Sequence, residues 1–191
     1  MHTDISIRMA TEADAKEILE IYAPYITDTA VTFEYSIPSV AEFSQRIRDT
    51  LQMYPYIVAL EDDRIVGYAY ASAFKKRAAY NWAVETTVYL KQDCRGRGLG
   101  KKLYFALEEI LKRQNIINLN ACIAYTLDED AHLDNTSTIF HEHLGYTKVA
   151  HFTKCGYKFG AWYDMIWMEK MLGEHPSNPD PVIPITELQV L

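Results

Sequence analysis

One short segment carries most of the chemistry visible in this chain: Arg95-Gly96-Arg97-Gly98-Leu99-Gly100-Lys101-Lys102. Its glycines let the backbone bend closely. It opens a helical pattern whose first N–H groups have no acceptor of their own and favour an anion. The arginines and lysines add positive charge to a chain whose net charge is −7. A phosphorylated ligand is the inference, and familiar phosphate loops fit it poorly. A P-loop needs G-x-x-x-x-G-K-[ST], but Arg95 stands at the first glycine and Lys102 at the Ser/Thr. A dinucleotide loop needs G-x-G-x-x-G near the start of a βαβ unit, whereas this loop is G-x-G-x-G and lies mid-chain. The bland alternative is a glycine-rich turn with solvated charges.

Other residues suggest proton chemistry. Glu85 is a charged residue inside the apolar run Val84 to Leu90, and burial there would raise its pKa toward neutrality. The alternative is a strand-end Glu paired with Lys or Arg. Lys75, Arg77 and Tyr80 form a polar group that can meet an acidic ligand, Arg in two-pronged fashion, or else form a solvated basic loop. Cys94 borders the glycine loop without a nearby His to activate it, which argues against an acyl-cysteine route. His141-x-His143 with Cys155 lacks the usual zinc spacing, so no metal is expected.

The elements that position these residues follow from periodicity. Ile5, Ile7 and Met9 alternate as a first strand. Thr11 can cap a helix carrying Ala15, Ile18, Leu19 and Tyr22, with Pro24 leaving its end open. Ser39-Val40-Ala41-Glu42 is a capping box, ahead of Phe43, Ile47 and Leu51. Tyr56–Leu60 and Ile65–Ala73 flank a polar turn and predict a hairpin. Val84–Leu90 predicts a buried strand, rich in β-branched residues. Leu99, Leu103, Leu107, Ile110 and Leu111 share one helical face. Leu119–Ala124 predicts a strand, Thr136–Leu144 a helix closed by Gly145, and Lys148–Thr153 and Trp162–Met168 two last strands. From Glu174 onward four prolines enforce an extended tail. Its apolar residues (Val182, Ile183, Ile185, Leu188, Val190, Leu191) predict packing on its own domain or on a partner.

With 191 residues, 49% of them hydrophobic, the chain suits one domain with a sizeable core. Its acidity excludes a broad nucleic-acid surface. No apolar run is long enough to span a membrane, and the N-terminus has no secretory pattern. Three scattered cysteines read as reduced thiols in the cytoplasm.

Arg95-x-x-Gly98-x-Gly100 resembles the R/Q-x-x-G-x-G/A loop of the GNAT acetyltransferase superfamily, and the element order agrees. The resemblance narrows to its phosphinothricin-type branch. Lys75 to Tyr89 is similar to W-K-x-R-x-A-Y-x-W-x-V-E-x-T-V-Y, with Phe74 in place of the Trp. Phe140-His141-Glu142-His143-Leu144-Gly145-Tyr146 is similar to L-H-E-x-L-G-[YF], and Gly156-Tyr157-Lys158-Phe159-Gly160-Ala161-Trp162 to G-Y-K-x-G-x-W. One departure is Asp134 where the branch places Asn, with Asn135 beside it.

This resemblance implies an α/β fold of GNAT type, a mixed twisted sheet of about six to seven strands with about four helices. Residues 1–173 would form the domain and 174–191 the tail. It implies acetyl-CoA as cosubstrate, met by Val88, Tyr89 and Leu90 at the pantetheine, by Arg95, Gly96, Arg97, Gly98, Leu99, Gly100 and Lys101 at the pyrophosphate, and by Asn135. It implies Glu85 as base, with His141 as acid, alternative base or core residue. Phe33, Lys75, Arg77 and Tyr80 would meet a small amino-acid-like acceptor such as phosphinothricin or methionine sulfone or sulfoximine. A homodimer is also implied. The alternatives are a different amine (a peptide N-terminus or a polyamine) and a non-catalytic acyl-CoA sensor.

Overall fold

A computed structural model describes residues 5–189. The strands are β1 (Ile5–Met9), β2 (Tyr56–Glu61), β3 (Arg64–Ala73), β4 (Ala83–Leu90), β5 (Asn118–Tyr125), β6 (Thr147–Lys158) and β7 (Ala161–Met171). The helices are α1 (Ala15–Thr27), α2 (Val40–Thr50), α3 (Leu99–Arg113) and α4 (Thr136–His143). The seven strands make a mixed sheet in the order β1-β2-β3-β4-β5-β7-β6, in keeping with the expected fold class. The described residues divide into two compact units.

The first unit holds the residues up to Ile21, Pro38–Leu119 and those from Met171 on. Its strands β1 to β4 form an antiparallel meander, with Tyr68 opposite Val58 on one side and Tyr89 on the other. The β2–β3 turn is only Asp62-Asp63, with φ of 49° and 61°. Two successive left-handed residues match the twist of a tight hairpin, and Asp tolerates that region. The capping box forms as expected, Ser39 N donating to Glu42 Oε2 at 2.9 Å and Glu42 N to Ser39 Oγ at 3.2 Å. Helix α3 buries Leu99, Leu103, Leu107, Ile110 and Leu111, and packs on β2, β3 and β4. Pro24 does not end α1, which runs on to Thr27. The apolar face resumes beyond it at Tyr25 and Ile26, both buried, and outweighs one lost backbone bond.

The buried strand expected at Val84–Leu90 is buried on one side only. Val84 and Thr86 are buried, whereas Glu85 and Thr87 between and beyond them are half-buried. The Val84/Thr86 side meets α3, where Tyr104 Oη lies 3.4 Å from Thr86 Oγ1.

From Glu174 the chain is extended apart from one 3-10 turn at Ile185–Glu187, and it lies on its own unit. Trp82 Nε1 donates to Asp180 O, and Asn115 Nδ2 to Pro181 O, both at 2.8 Å. The fully buried Gln114 donates through Nε2 to Met53 O at 2.7 Å and Ile183 O at 2.8 Å. Ile185 N reaches Met53 O at 3.0 Å, and Ile185 is buried. The tail residues Val190 and Leu191 lie outside the described residues.

The second unit comprises Tyr22–Ile37 and Asn120–Lys170. Its β6–β7 hairpin turns at Phe159-Gly160 (φ 51° and 78°), with Lys158 opposite Ala161. Strand β6 continues to Lys158 instead of stopping at Thr153. A bulge between Phe152 and Gly156 interrupts the alternation that would otherwise reveal one strand. Asp164 stitches this bulge, accepting Lys154 N at 2.7 Å through Oδ1 and holding His151 Nε2 at 2.6 Å through Oδ2. Beside the hairpin, Ala30, Leu133 and Tyr163 form a buried cluster with Val31, Phe33, Ala124 and Ala161 against it.

Candidate active site

Strand β4 leads through a 3-10 turn at Gln92–Cys94 into the glycine loop and α3. Gly96 and Gly98 have φ of 72° and 76°, and no atom lies within 4 Å of the place a Cβ would occupy at either. Backbone conformation, not crowding, therefore demands these glycines, and the loop is left open on its outer side. The first α3 bond runs from Lys102 N to Gly98 O at 3.2 Å. The N–H groups of Leu99, Gly100 and Lys101 thus fall in the first turn, which has no intrahelical acceptors. This cradle fits a diphosphate: open backbone, N–H groups at a helix start, and the exposed cationic Arg95 and Lys101 beside them.

Arg97 behaves differently from its neighbours. Its guanidinium forms a two-pronged ion pair with Glu61 at the end of β2, Nη1 to Oε2 being 3.1 Å. Its backbone N–H remains part of the loop, while its side chain fastens the loop to β2. Nothing in the sequence singles out Glu61, since a carboxylate at a strand end before an acidic turn is commonplace. Cys94 is buried, with Arg97 Nη1 3.8 Å from its sulfur. Burial, helped by Asp93, pushes the thiol above its ordinary pKa, so it is a poor nucleophile at neutral pH.

Glu85, Thr87 and Tyr89 share the face of β4 away from α3. Glu85 stands opposite Ser72, and the Tyr89 ring lies 5.5 Å from that of Tyr68. Tyr68, Tyr70 and Tyr56 continue this aromatic row, the last two stacked at 4.8 Å. Burial raises the Glu85 carboxyl above the usual range, and the charge of Lys75 pulls the other way. Lys75 Nζ sits 4.8 Å from the Phe74 ring, which meets Tyr80 edge-on at 5.9 Å. Arg77 and Tyr80 are exposed on the loop between β3 and β4. Val88, Tyr89 and Leu90 are half-buried and pair with Ala69, Tyr68 and Gly67.

The remaining predicted residues belong to the second unit. His141 is buried on α4, its Nδ1 2.7 Å from Ser137 O and its ring edge-on to Phe140 and Tyr146 at 5.2 Å. Burial pushes its imidazole down to about 4, against the Ser137 hydrogen bond. It is neutral at pH 7 and has no second proton to donate as an acid. Below about pH 6.5 the unfolded chain takes up a proton that the folded one refuses, until about pH 4. Stability should therefore fall by on the order of 3 kcal/mol across that window as pH drops. Urea denaturation at pH 6.5 and 4.5 measures it, and His141→Phe should flatten the slope.

Asn135, expected at the cofactor, spans its own loop: Nδ2 donates to Thr126 O at 2.9 Å, and Oδ1 accepts Thr126 N at 3.3 Å. Its neighbour Asp134 accepts Thr136 N at 2.9 Å at the start of α4. Phe33 packs against the β6 backbone at Gly156, in a segment without regular structure.

Comparison with known proteins adds a family and relatives. The Acetyltransferase (GNAT) domain family model matches residues 7–167. A phosphinothricin N-acetyltransferase of Streptomyces viridochromogenes is 33% identical over 184 residues, 96% of each chain. An L-methionine sulfoximine/L-methionine sulfone acetyltransferase of Salmonella typhimurium is 29% identical, covering 92% of this chain and 99% of its own. Among solved structures, a GNAT superfamily phosphinothricin acetyltransferase from Sinorhizobium meliloti, in complex with acetyl-CoA, superposes with a TM-score of 0.85 at 33% identity, over 95% of this chain and 97% of its own.

Proposed function

The chain belongs to the acetyltransferase (GNAT) domain family, and on that footing we propose that it transfers an acetyl group from acetyl-CoA to the α-amine of a small amino-acid-like acceptor, of the phosphinothricin or methionine sulfone and sulfoximine kind. The observation that carries this reading is the pairing, along one stretch of chain, of a half-buried carboxylate of raised pKa with an open diphosphate cradle. When bound, acetyl-CoA supplies the activated acyl group.

In this reading the α3 N-terminus and the loop Arg95 to Lys101 hold the pyrophosphate, the backbone of Gly96, Arg97, Gly98, Leu99 and Gly100 supplying donors. Arg95 and Lys101 contribute charge, and the Val88–Leu90 stretch lines the pantetheine. Glu85 takes the proton from the acceptor's ammonium, directly or through water, so that the neutral amine can attack. As the new C–N bond forms the C–S bond breaks, and the amine's second proton passes through water to the departing thiolate, which leaves as the CoA thiol. Lys75, Arg77, Tyr80 and Phe33 meet the acceptor, the cations suiting a carboxylate or phosphinate. The neutral His141 is taken as a core residue of α4, and Asn135 as a brace of its loop.

The same reading takes residues 1–173 as the catalytic domain and 174–191 as its appendage. It takes the protein as cytoplasmic, in keeping with three unbridged cysteines, and as acting without nucleic acid or membrane. No described helix is long and apolar enough to cross a membrane. A homodimer is supported by Val149, Phe152, Tyr157 and Trp162, large apolar side chains exposed on β6 and β7.

The test is CoA release from acetyl-CoA with a panel of phosphinothricin, methionine sulfone, methionine sulfoximine, ordinary amino acids, a peptide and a polyamine. Release with the first three should exceed that with peptide or polyamine; no release with any amine would leave only a binding role. Cys94→Ser should keep turnover within about threefold, since the buried thiol does not carry the acyl group. An acetylated Cys94 in a quenched reaction would overturn direct transfer.

A further inference from the structure

Lys158 is a buried lysine that the proposed reaction does not use. It is 3% exposed, and its amine donates to two backbone carbonyls, Thr29 O and Thr32 O, each at 2.8 Å. Those carbonyls belong to the irregular stretch between α1 and α2, more than a hundred residues earlier in the chain. Its neighbours on β6 grip the same stretch. The Tyr157 carbonyl accepts a hydrogen bond from Tyr35 Oη. Gly156 lies under the Phe33 ring so closely that a Cβ there would overlap ring carbons. The φ of Gly156 is not in the left-handed region, so the ring and not the backbone excludes a side chain.

The stretch is tied from its other sides as well. Tyr22 Oη lies 2.8 Å from Thr32 Oγ1 and donates to Glu34 at 3.2 Å. Ala30 N donates to His132 O at 2.9 Å. These anchors end at or near Phe33, whose ring is thereby set in one place.

We propose that Gly156, Tyr157 and Lys158 form a clamp that fixes residues 29–35 as the acceptor-side wall, with Lys158 a positioning residue for acceptor recognition. This rests on the acetyltransferase reading, in which Phe33 meets the acceptor. A charged amine shared between two carbonyls holds a turn that has no helix or strand ladder of its own. Without it both carbonyls lose a donor, and the wall becomes mobile while the glycine loop keeps its own supports.

The experiment compares wild type with Lys158→Met, which keeps the aliphatic stem and removes the amine. Acceptor KM should rise about tenfold, the equivalent of one such interaction, with acetyl-CoA KM within about twofold. Amides of residues 29–35 should exchange hydrogen faster, while those of α3 stay unchanged. A folded Lys158→Met with unchanged acceptor KM and unchanged exchange overturns the clamp. If that variant does not fold, Gly156→Ala decides. It should raise acceptor KM in the native background and much less in a Phe33→Leu background, where the ring is gone; equal effects in both overturn the proposal. If wild type acetylates no amine, the functional reading fails by itself, and the exchange of residues 29–35 still judges the clamp.

Discussion

Glu85→Gln should slow turnover at pH 7 by about 10²–10⁴-fold while leaving the KM for acetyl-CoA nearly unchanged. The side chain keeps its size and its place opposite Ser72, so the change removes basicity and little else. Its carboxyl titrates above the ordinary range because it is half-buried on a strand, and Lys75 prevents a larger shift. The base acts when deprotonated. Wild-type kcat/KM should therefore climb with pH through that raised pKa, and the variant should lack this acidic limb. Toward higher pH the acceptor amine, with a pKa near ~8, loses its proton unaided and the two enzymes should converge. A pH–rate series on both proteins makes the comparison. Equal rates at every pH would return Glu85 to the role of a structural carboxylate.

Removing the chain from Glu174 onward should cost about 3–5 kcal/mol of stability. The truncation exposes the pocket that buries Ile185. It also deprives Trp82 Nε1 and Asn115 Nδ2 of their acceptors and removes Ile183 O from the buried Gln114. Gln114 then keeps only Met53 O for a buried amide that now serves two carbonyls. For a chain of this size the melting temperature should fall by roughly 10 °C. Trp82 directly precedes β4, so local opening should be detectable there first, by tryptophan fluorescence as well as calorimetry. An unchanged melting temperature would mean that the tail is only loosely laid on its unit.

What could be read beforehand divides by how local its cause is. The capping box at Ser39 and Glu42, the apolar stripe of α3 and the glycine loop each depend on residues within a few positions, and all three form as their patterns indicate. The full length of strand β6 is hidden from its pattern, because the bulge shifts the alternation after Phe152. Pro24 leaves the end of α1 open in the sequence, and the buried Tyr25 and Ile26 beyond it carry the helix on to Thr27. At the site, Glu85 stood out because a charge in an apolar strand is visible from its neighbours. The neutral state of His141 comes from burial, which no spacing records. The Arg97–Glu61 pair and the reach of Lys158 to Thr29 join segments with no shared periodicity, so their motifs could be matched but not explained.

The hold of β6 on residues 29–35 makes those two stretches a single unit of inheritance. A chimera that takes the early stretch from one relative and the β6–β7 hairpin from another would pair a Phe33 with a foreign Gly156, or the Thr29 and Thr32 carbonyls with a foreign Lys158. Anyone exchanging acceptor preference among such enzymes should therefore transplant both stretches together. Crossovers between them separate the two halves of one joint, while crossovers before residue 29 or after residue 160 leave it whole.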